Sequence, residues 1–448
     1  MGILGNMNDL SNISYRKEKL KQLLRVVMQY EKEITAALYL DFKKSEFEAV
    51  VTETSYVVSE LQNTIANLRK WARPKKVFPS LLNFPSSDYI LSEPYGKVLI
   101  IAPWNYPYQL ALCPLIAAVS AGNKVVLKPS ELTHNTSKII AKIVSEVFDT
   151  EEVTVVEGDA AVAKELLSQR WDFIFFTGSV PVGKIVAQAA AVHLTPVTLE
   201  LGGKNPCIID YDCPIQLTAR RIIWGKFLNA GQTCIAPDYL LVHATIKLKL
   251  VEALKAEITK AYGKNPEISP DYPRIVNEKN WSRLVQMLEN EVVLVGGYHS
   301  KTDYFIAPTL IDEPKLNSLV MKDEIFGPIL PIISYENESE IKEIISRYEK
   351  PLSLYVFSNR TKWAKEIMAT YSFGGGCIND TIIHFSNNRM PFGGVGHSGM
   401  GAYHGKLSFD AFSHQKSIVK KANWLDLPLR YAPYKNKVTV LKKLLNWL

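Results

Sequence analysis

Several things missing from this 448-residue sequence narrow its reading before anything present does. No apolar run reaches the ~18–20 residues that a membrane-crossing helix needs. The opening MGILGNMNDL has no basic stretch leading into an apolar core and a small-residue cleavage site, so no signal peptide is expected. Gly2 suggests a myristoylation signal, but Asn6 stands where Ser or Thr is wanted. No C-x-x-C pair occurs, and the five cysteines (Cys113, Cys207, Cys213, Cys234 and Cys377) are an odd number. Neither a disulfide framework nor a metal site fits that pattern. A reducing, cytoplasmic setting is expected, which leaves a catalytic thiol open. There is no repeat of fixed period and no low-complexity tract.

Charge is missing from most of the chain too. The net charge is +7, and Gln415 to Leu448 alone holds eight Lys/Arg against the single acid Asp426. The remainder is neutral overall, which argues against a nucleic-acid-binding body. The terminal VTVLKKLLNWL is too short to span a bilayer, but its apolar, Lys and Trp content suits a membrane surface. Packing on the body or on a partner subunit is the plainer alternative.

What is present is the composition of a globular protein, 47% hydrophobic and 22% charged, too long for one hydrophobic core. Residues 14–40 place Leu20, Leu23, Leu24, Val27, Ile34 and Leu38 on one helical face, with Ser14 as the expected N-cap. A second helical pattern covers 48–72. Prolines then break RPKKVFPSLLNFPSSDYILSEPYG into a connector, or an extended arm if it pairs. From Gly96 the chain alternates short β-rich runs with helical segments. The runs are KVLIIAPW (97–104), KVVLKPS (124–130), VTVVEG (153–158), FIFFTGS (173–179) and VTLELGG (197–203). Such alternation predicts a doubly wound parallel sheet, with ligands at the strand carboxyl ends. A second α/β series starts with the helix of RIIWGKFLNAGQTC (221–234) and runs to about residue 370.

Two glycine signals compete for a nucleotide. FTGSVPVGKIV (176–186) has the spacing of half a P-loop, but Ile185 replaces the hydroxyl that would hold magnesium. It reads equally as a bland strand-to-helix turn, or as a dinucleotide turn offering free N–H groups to a phosphate. Gly394-Val-Gly396-His-Ser-Gly399 is a formal G-x-G-x-x-G. It follows NNRMPFGG rather than a strand, so a mobile or tightly turned loop remote from the sheet is expected there.

The stretches APWNYP (102–107), LKPSE (127–131), FTGS-x-x-x-G (176–183), LELGGKNP (199–206), FLNAGQTC (227–234) and EIFGP (324–328) follow one another in this order. Together they resemble the NAD(P)-dependent aldehyde dehydrogenase superfamily over almost the whole chain. The segments APDYLLVH, FGGGCIND, PFGGVGHSGMGAYHG and LPLRYAPY resemble its class 3 branch, of fatty- and aromatic-aldehyde enzymes. The resemblance implies an α/β fold with a Rossmann-type NAD(P)-binding domain (1–200), a catalytic domain (201–390) and a small oligomerisation arm (74–96). Residues 391–448 would hold the glycine-rich loop, an oligomerisation segment and the basic tail. A homodimer is implied.

Aldehyde oxidation first needs a tetrahedral adduct that can release hydride, and a thiolate can form one covalently. The resemblance makes Cys234 that nucleophile, Asn105 (with the Cys234 N–H) the oxyanion donor, and Glu200 the base for thioester hydrolysis. Free acid is the implied product. It also places Lys128 and Glu131 by the adenosine ribose, and Gly178, Ser179 and Gly183 along a turn near the pyrophosphate. Glu324 and Phe326 would lie on the nicotinamide side. An acid beside the ribose favours NAD, with NADP still open. Tyr106 and Trp224 are implied near the aldehyde, with Phe385 close. Lys184 reads as a solvated helix residue. The rivals are a P-loop nucleotide-binding module, which Ile185 opposes, and an idle relative, which the presence of Asn105, Glu200 and Cys234 opposes.

Overall fold

The structure, a computed structural model, describes residues 9–80 and 83–445. Gly2, Asn6 and the terminal Trp447 lie outside the described residues. The chain divides into two compact units. One holds the residues through Trp71 with Pro94–His414, and the other Ala72–Glu93 with the chain from Gln415.

In the larger unit the five β-rich runs become five parallel strands. Their spatial order is Val197–Glu200, Phe173–Thr177, Lys97–Ile101, Lys124–Lys128, Val153–Val155. Chain order reverses between Lys97–Ile101 and Phe173–Thr177. The ends of these two strands lead into Ala102 and Gly178, flanking the crevice that such a switch point opens. A sixth strand, Gly399–Met400, pairs antiparallel with Glu200 and Leu199. The glycine-rich loop is therefore tightly turned, closed by a Gly396–Gly399 bridge, but it is not remote from the sheet. It forms the sheet edge, and glycine is required at 399, where φ is 155° and a Cβ would lie 2.5 Å from the Leu199 carbonyl.

The second series forms a seven-stranded sheet in the order Val292–Val295, Thr309–Asp312, Ile329–Tyr335, Tyr239–His243, Pro206–Ile209, Ser353–Phe357, Gly375–Ile378. It is parallel except at its first strand. Its central strands Ile329–Tyr335, Tyr239–His243, Pro206–Ile209 and Ser353–Phe357 are buried almost throughout, as befits the interior of a parallel sheet.

The N-terminal helix, Ile13–Gln29, is capped two residues earlier than expected. Its cap is Asn12, whose Oδ1 accepts the Ser14 and Tyr15 N–H groups. A break at Tyr30 separates it from the helix Glu31–Phe42. The helix Gln109–Ala121 is buried at every position. Its first turn is satisfied by Glu53, whose Oε2 accepts the N–H groups of Tyr108 (2.9 Å) and Gln109 (3.1 Å). The other Glu53 oxygen pairs with Lys44 at 2.6 Å, both side chains fully buried.

In the smaller unit, Lys75–Val77 pairs antiparallel with Ser86–Pro94, and Ser413–Lys421 extends that ribbon to three strands. The proline-rich segment is thus a paired arm. The Lys421 ammonium fastens it by donating to the carbonyls of Phe84 (2.7 Å) and Asn83 (3.0 Å).

Candidate active site

The turn after the helix Ile215–Phe227 leads to the free cysteine Cys234, and its backbone is unusual. Asn229, Ala230 and Gly231 take left-handed φ values of 54°, 51° and 73° in succession. Non-glycine residues rarely tolerate this, and such strain persists only when the surroundings over-determine it. Here they do. The Asn229 amide donates to the Asn105 carbonyl (2.7 Å) and the Gln232 carbonyl (3.2 Å). Gln232 donates to the carbonyls of Asn229 and Arg274 and accepts the Val276 N–H, each at 3.0 Å. At Gly231 a Cβ would lie 2.3 Å from the Gly327 carbonyl oxygen. Gly231→Ala combines that backbone overlap with a strained φ. It is expected to destabilise the protein by at least ~2 kcal/mol, read as a lower urea midpoint.

This turn ties Asn105 to Gln232, two residues before Cys234. The Asn105 amide donates to the Gln232 carbonyl at 3.1 Å. The next residue, Tyr106, is buried and shares a 2.7 Å hydroxyl contact with Thr233. Burial raises the Cys234 thiol pKa, and the nearby Glu324 and Glu200 carboxylates add to that, while the N–H groups of Cys234 and Ile235 oppose it.

Glu200 closes the strand Val197–Glu200 and is 3% exposed, and neither carboxylate oxygen has a hydrogen-bond partner among the described residues. Burial pushes its pKa well above the usual carboxylate range. An unpaired buried carboxyl costs stability, so its place beside the thiol points to chemistry rather than to packing.

Glu324 follows the helix Leu319–Lys322, with its carboxylate against the Gly202 backbone, where a Cβ would lie 2.1 Å away. Its pKa is pushed up to about 8 by burial and by Asp238, against the Gly203 N–H and the Arg283 and Lys204 charges. A buried Lys204–Asp238 pair (2.6 Å) holds this loop. Lys204 donates to the carbonyls of Val320 and Asp323, and Asp238 accepts the Ile325 N–H. Phe326, at φ 51°, packs edge-on against Trp104 at 5.3 Å.

The turn FTGS lies at the sheet's switch point. The Gly178 N–H donates to the Glu200 carbonyl at 2.9 Å. Ser179 stands at the N-cap of the helix Val180–Val192, and its side chain makes no capping bond. Gly183 is not on the turn itself. It lies one turn inside the helix, where a Cβ would meet Leu201 at 2.7 Å, so it supplies close helix–sheet approach. Lys184 is exposed.

Lys128 and Glu131 form a 3.1 Å ion pair at the end of the strand Lys124–Lys128. Beside them opens a cavity of 320 Å³ lined by Ser130, Glu131, His134, Glu157, Gly158 and Asp159. A larger cavity of 420 Å³, lined by Glu289, Asp312, Lys315 and Leu319 among others, contains none of these residues. A strand-end cleft with an uncapped helix N-terminus beyond it fits the adenosine and pyrophosphate of a dinucleotide.

Residues 8–418 match the family model for the aldehyde dehydrogenase family. The chain belongs to the aldehyde dehydrogenase family. It is 45% identical to 4,4'-diaponeurosporen-aldehyde dehydrogenase of Staphylococcus aureus over 98% of this chain and 96% of that protein. It is 47% identical to aldehyde dehydrogenase family 3 member A2 of Macaca fascicularis over 92% of this chain and 84% of that protein. The solved substrate-bound state of Staphylococcus aureus AldH superposes with a TM-score of 0.95 at 45% identity, covering 97% of this chain and 95% of that one. This aldehyde dehydrogenase therefore oxidises aldehydes to carboxylic acids with a nicotinamide dinucleotide, and its similarities lie with class 3.

Sequence reading missed residues that hold the site of this aldehyde dehydrogenase in register. Asn205 donates to the carbonyls of Cys234 (2.7 Å) and Ala236 (3.0 Å) and accepts the Ser353 N–H (2.8 Å). It lies inside the quoted LELGGKNP, but an Asn before Pro reads as a turn former. Phe385, which the resemblance implied close to the aldehyde, stands in an aromatic cluster with Tyr56, Phe392, Tyr403 and His404, and those four had no sequence signal because the cluster draws on three separate segments. The Tyr403 phenol lies within electrostatic reach of both Glu200 and Cys234. Trp224, by contrast, is 45% exposed on its helix.

Proposed function

We propose that Cys234 is the nucleophile, Asn105 the oxyanion donor and Glu200 the general base of this aldehyde dehydrogenase. The observation that carries this reading is the unpaired, buried Glu200 carboxyl beside a thiol whose turn is tied to Asn105. The Cys234 sulfur attacks the carbonyl carbon, and the carbonyl oxygen takes up negative charge. The Asn105 amide and the Cys234 N–H stabilise that oxygen, a contribution typically worth 10²–10³ in rate per donor. When bound, NAD(P)+ accepts the hydride that the thiohemiacetal carbon releases. The thioester left on Cys234 is cleaved by water whose proton passes to Glu200, giving the acid and the free thiol.

Lys128, Glu131 and the 320 Å³ cleft hold the adenosine ribose, Gly178 and Ser179 the pyrophosphate, and Glu324 with Phe326 the nicotinamide side. Glu131, Glu157 and Asp159 make that cleft acidic, which favours ribose hydroxyls over a 2′-phosphate. Glu131→Gln removes one of these charges and frees Lys128. The ratio of kcat/KM for NADP to that for NAD is expected to rise about fivefold, roughly 1 kcal/mol of a water-screened contact. Steady-state kinetics with each cofactor measure it.

Medium- to long-chain or aromatic aldehydes are the proposed substrates. Support comes from the aromatic cluster whose Tyr403 lies within electrostatic reach of Cys234, with Tyr106 and Trp224 as further contacts, and from the diaponeurosporen-aldehyde in the name of the S. aureus relative. A kcat/KM panel over short, long-chain and aromatic aldehydes, with NAD and with NADP, tests this; a maximum at short aldehydes would overturn it.

Residues 1–200 serve as the nucleotide-binding domain and 201–390 as the catalytic domain, with Gly399–Met400 returning to the first sheet. The arm at 74–96 and the C-terminal segment build a homodimer. Phe78, 96% exposed on that unit, supports a partner there. The enzyme works in the cytoplasm. No helix among the described residues is long and apolar enough to cross a membrane. Exposed Trp424, Tyr434 and Leu441 among the tail lysines support peripheral contact with an anionic membrane surface.

A further inference from the structure

Glu48 is a carboxylate that the reaction chemistry does not use, yet it touches the nucleophile turn directly. It lies on the short helix Glu46–Ala49, far from Cys234 in sequence, and is buried. Its Oε1 accepts the backbone N–H of Asn229 at 2.9 Å. That N–H opens the left-handed run Asn229–Ala230–Gly231. The Asn229 side chain in turn bonds the carbonyls of Asn105 and Gln232, and the Asn105 amide bonds the Gln232 carbonyl. One carboxylate oxygen thus fixes a residue whose two ends reach the proposed oxyanion donor and the proposed nucleophile's turn.

We propose that Glu48 is a positioning residue, whose acceptor oxygen holds the Asn229–Gly231 turn in its left-handed form and so keeps Asn105 and Cys234 in reacting register. The inference rests on the assignment of those two residues made above. Lys44 does not substitute for this contact, because its ammonium is committed to Glu53 at 2.6 Å and lies 4.4 Å from the centre of the Tyr106 ring. The other charges acting on Glu48 are Glu53 and Asp271, both repulsive, and the phenols of Tyr106 and Tyr262 face it as well. The Asn229 N–H is the one hydrogen-bond donor to the Glu48 carboxylate among the described residues. Without it, a buried N–H loses its partner and the strained run is free to relax toward ordinary φ values.

A displacement of about 1 Å in a reacting group costs on the order of 10²-fold in rate. Glu48→Ala and Glu48→Met remove the acceptor, and Glu48→Gln keeps it. The pre-steady-state burst of NADH is measured for each full-length variant, alongside KM for NAD and the urea midpoint. The burst rate is expected to fall about 10- to 100-fold in the Ala and Met variants, with KM for NAD within about threefold of wild type. Glu48→Gln is expected to recover the burst rate to within about threefold. Should neither Ala nor Met accumulate as folded protein, Glu48→Asp replaces them. It withdraws the oxygen by one methylene and should lose the same rate. A wild-type burst rate without the acceptor, whatever the change in stability, would overturn the proposal, as would a Gln variant as slow as Ala. Cys234→Ala, run in parallel, separates the two readings: if it retains the burst, the nucleophile assignment fails. If it is inactive while Glu48→Ala is normal, only the positioning role fails.

Discussion

Cys234→Ala is expected to yield a folded protein that binds the dinucleotide and produces no NADH above the rate of the uncatalysed reaction. An aldehyde carbon cannot release hydride until a nucleophile has added to it, and the Cys234 sulfur is the nucleophile proposed here. Losing the nucleophile of a comparable acyl-transfer site costs on the order of 10⁶ in rate, so little should survive. The fold should tolerate the change, because the turn is held by Asn205, Asn229 and Gln232 rather than by the thiol. Cofactor binding followed by fluorescence gives the control, and NADH absorbance gives the result. Full activity in this variant would end the covalent mechanism.

Glu200→Gln should act later. It leaves the thiol, the oxyanion donors and the hydride path in place, so NADH should appear in a burst close to one equivalent per active site. Slow turnover then follows, reduced about 10²–10⁴-fold as for the loss of a general base. Amide and carboxyl have the same shape, and neither Glu200 oxygen has a hydrogen-bond partner to lose among the described residues, so stability should not fall. The pH dependence provides a second signature. The base must be ionised to take a proton from water, and burial raises the pH at which that happens. Wild-type turnover should therefore climb as pH rises through and beyond the ordinary carboxylate range, and that climb should vanish in Glu200→Gln. Steady turnover without a burst would mean that water is activated by another group.

The sheets were legible because their strands advertise themselves. FIFFT and KVLII are short, Val/Ile- or aromatic-rich runs ending in turn residues, and all five early runs became strands of one sheet. The glycine-rich loop was misplaced because two residues, Gly399 and Met400, carry too little pattern to announce a strand. Lys184 was legible as a solvated helix residue and is exposed on the helix Val180–Val192, whereas Gly183, expected on the turn, lies inside that helix as a packing residue. Chemistry-bearing side chains stand out in motifs, whereas their supports do not. Asn205 and Glu48 act through backbone groups distant in sequence, and no local spacing encodes such a bond.

The pairing of Gly399–Met400 with Leu199–Glu200 also bears on how the enzyme comes into being. Synthesis runs from the N-terminus at about 5–20 residues per second, so roughly ten to forty seconds separate the emergence of Glu200 from that of its edge strand. During that interval the thiol of Cys234 can already be exposed, but the strand presenting the carboxyl lacks its outer neighbour. A ribosome-bound chain is thus left with an unpaired sheet edge at the site of its future chemistry. The late segment closes that edge, so the sheet that presents Glu200 is complete only after Met400 has been made.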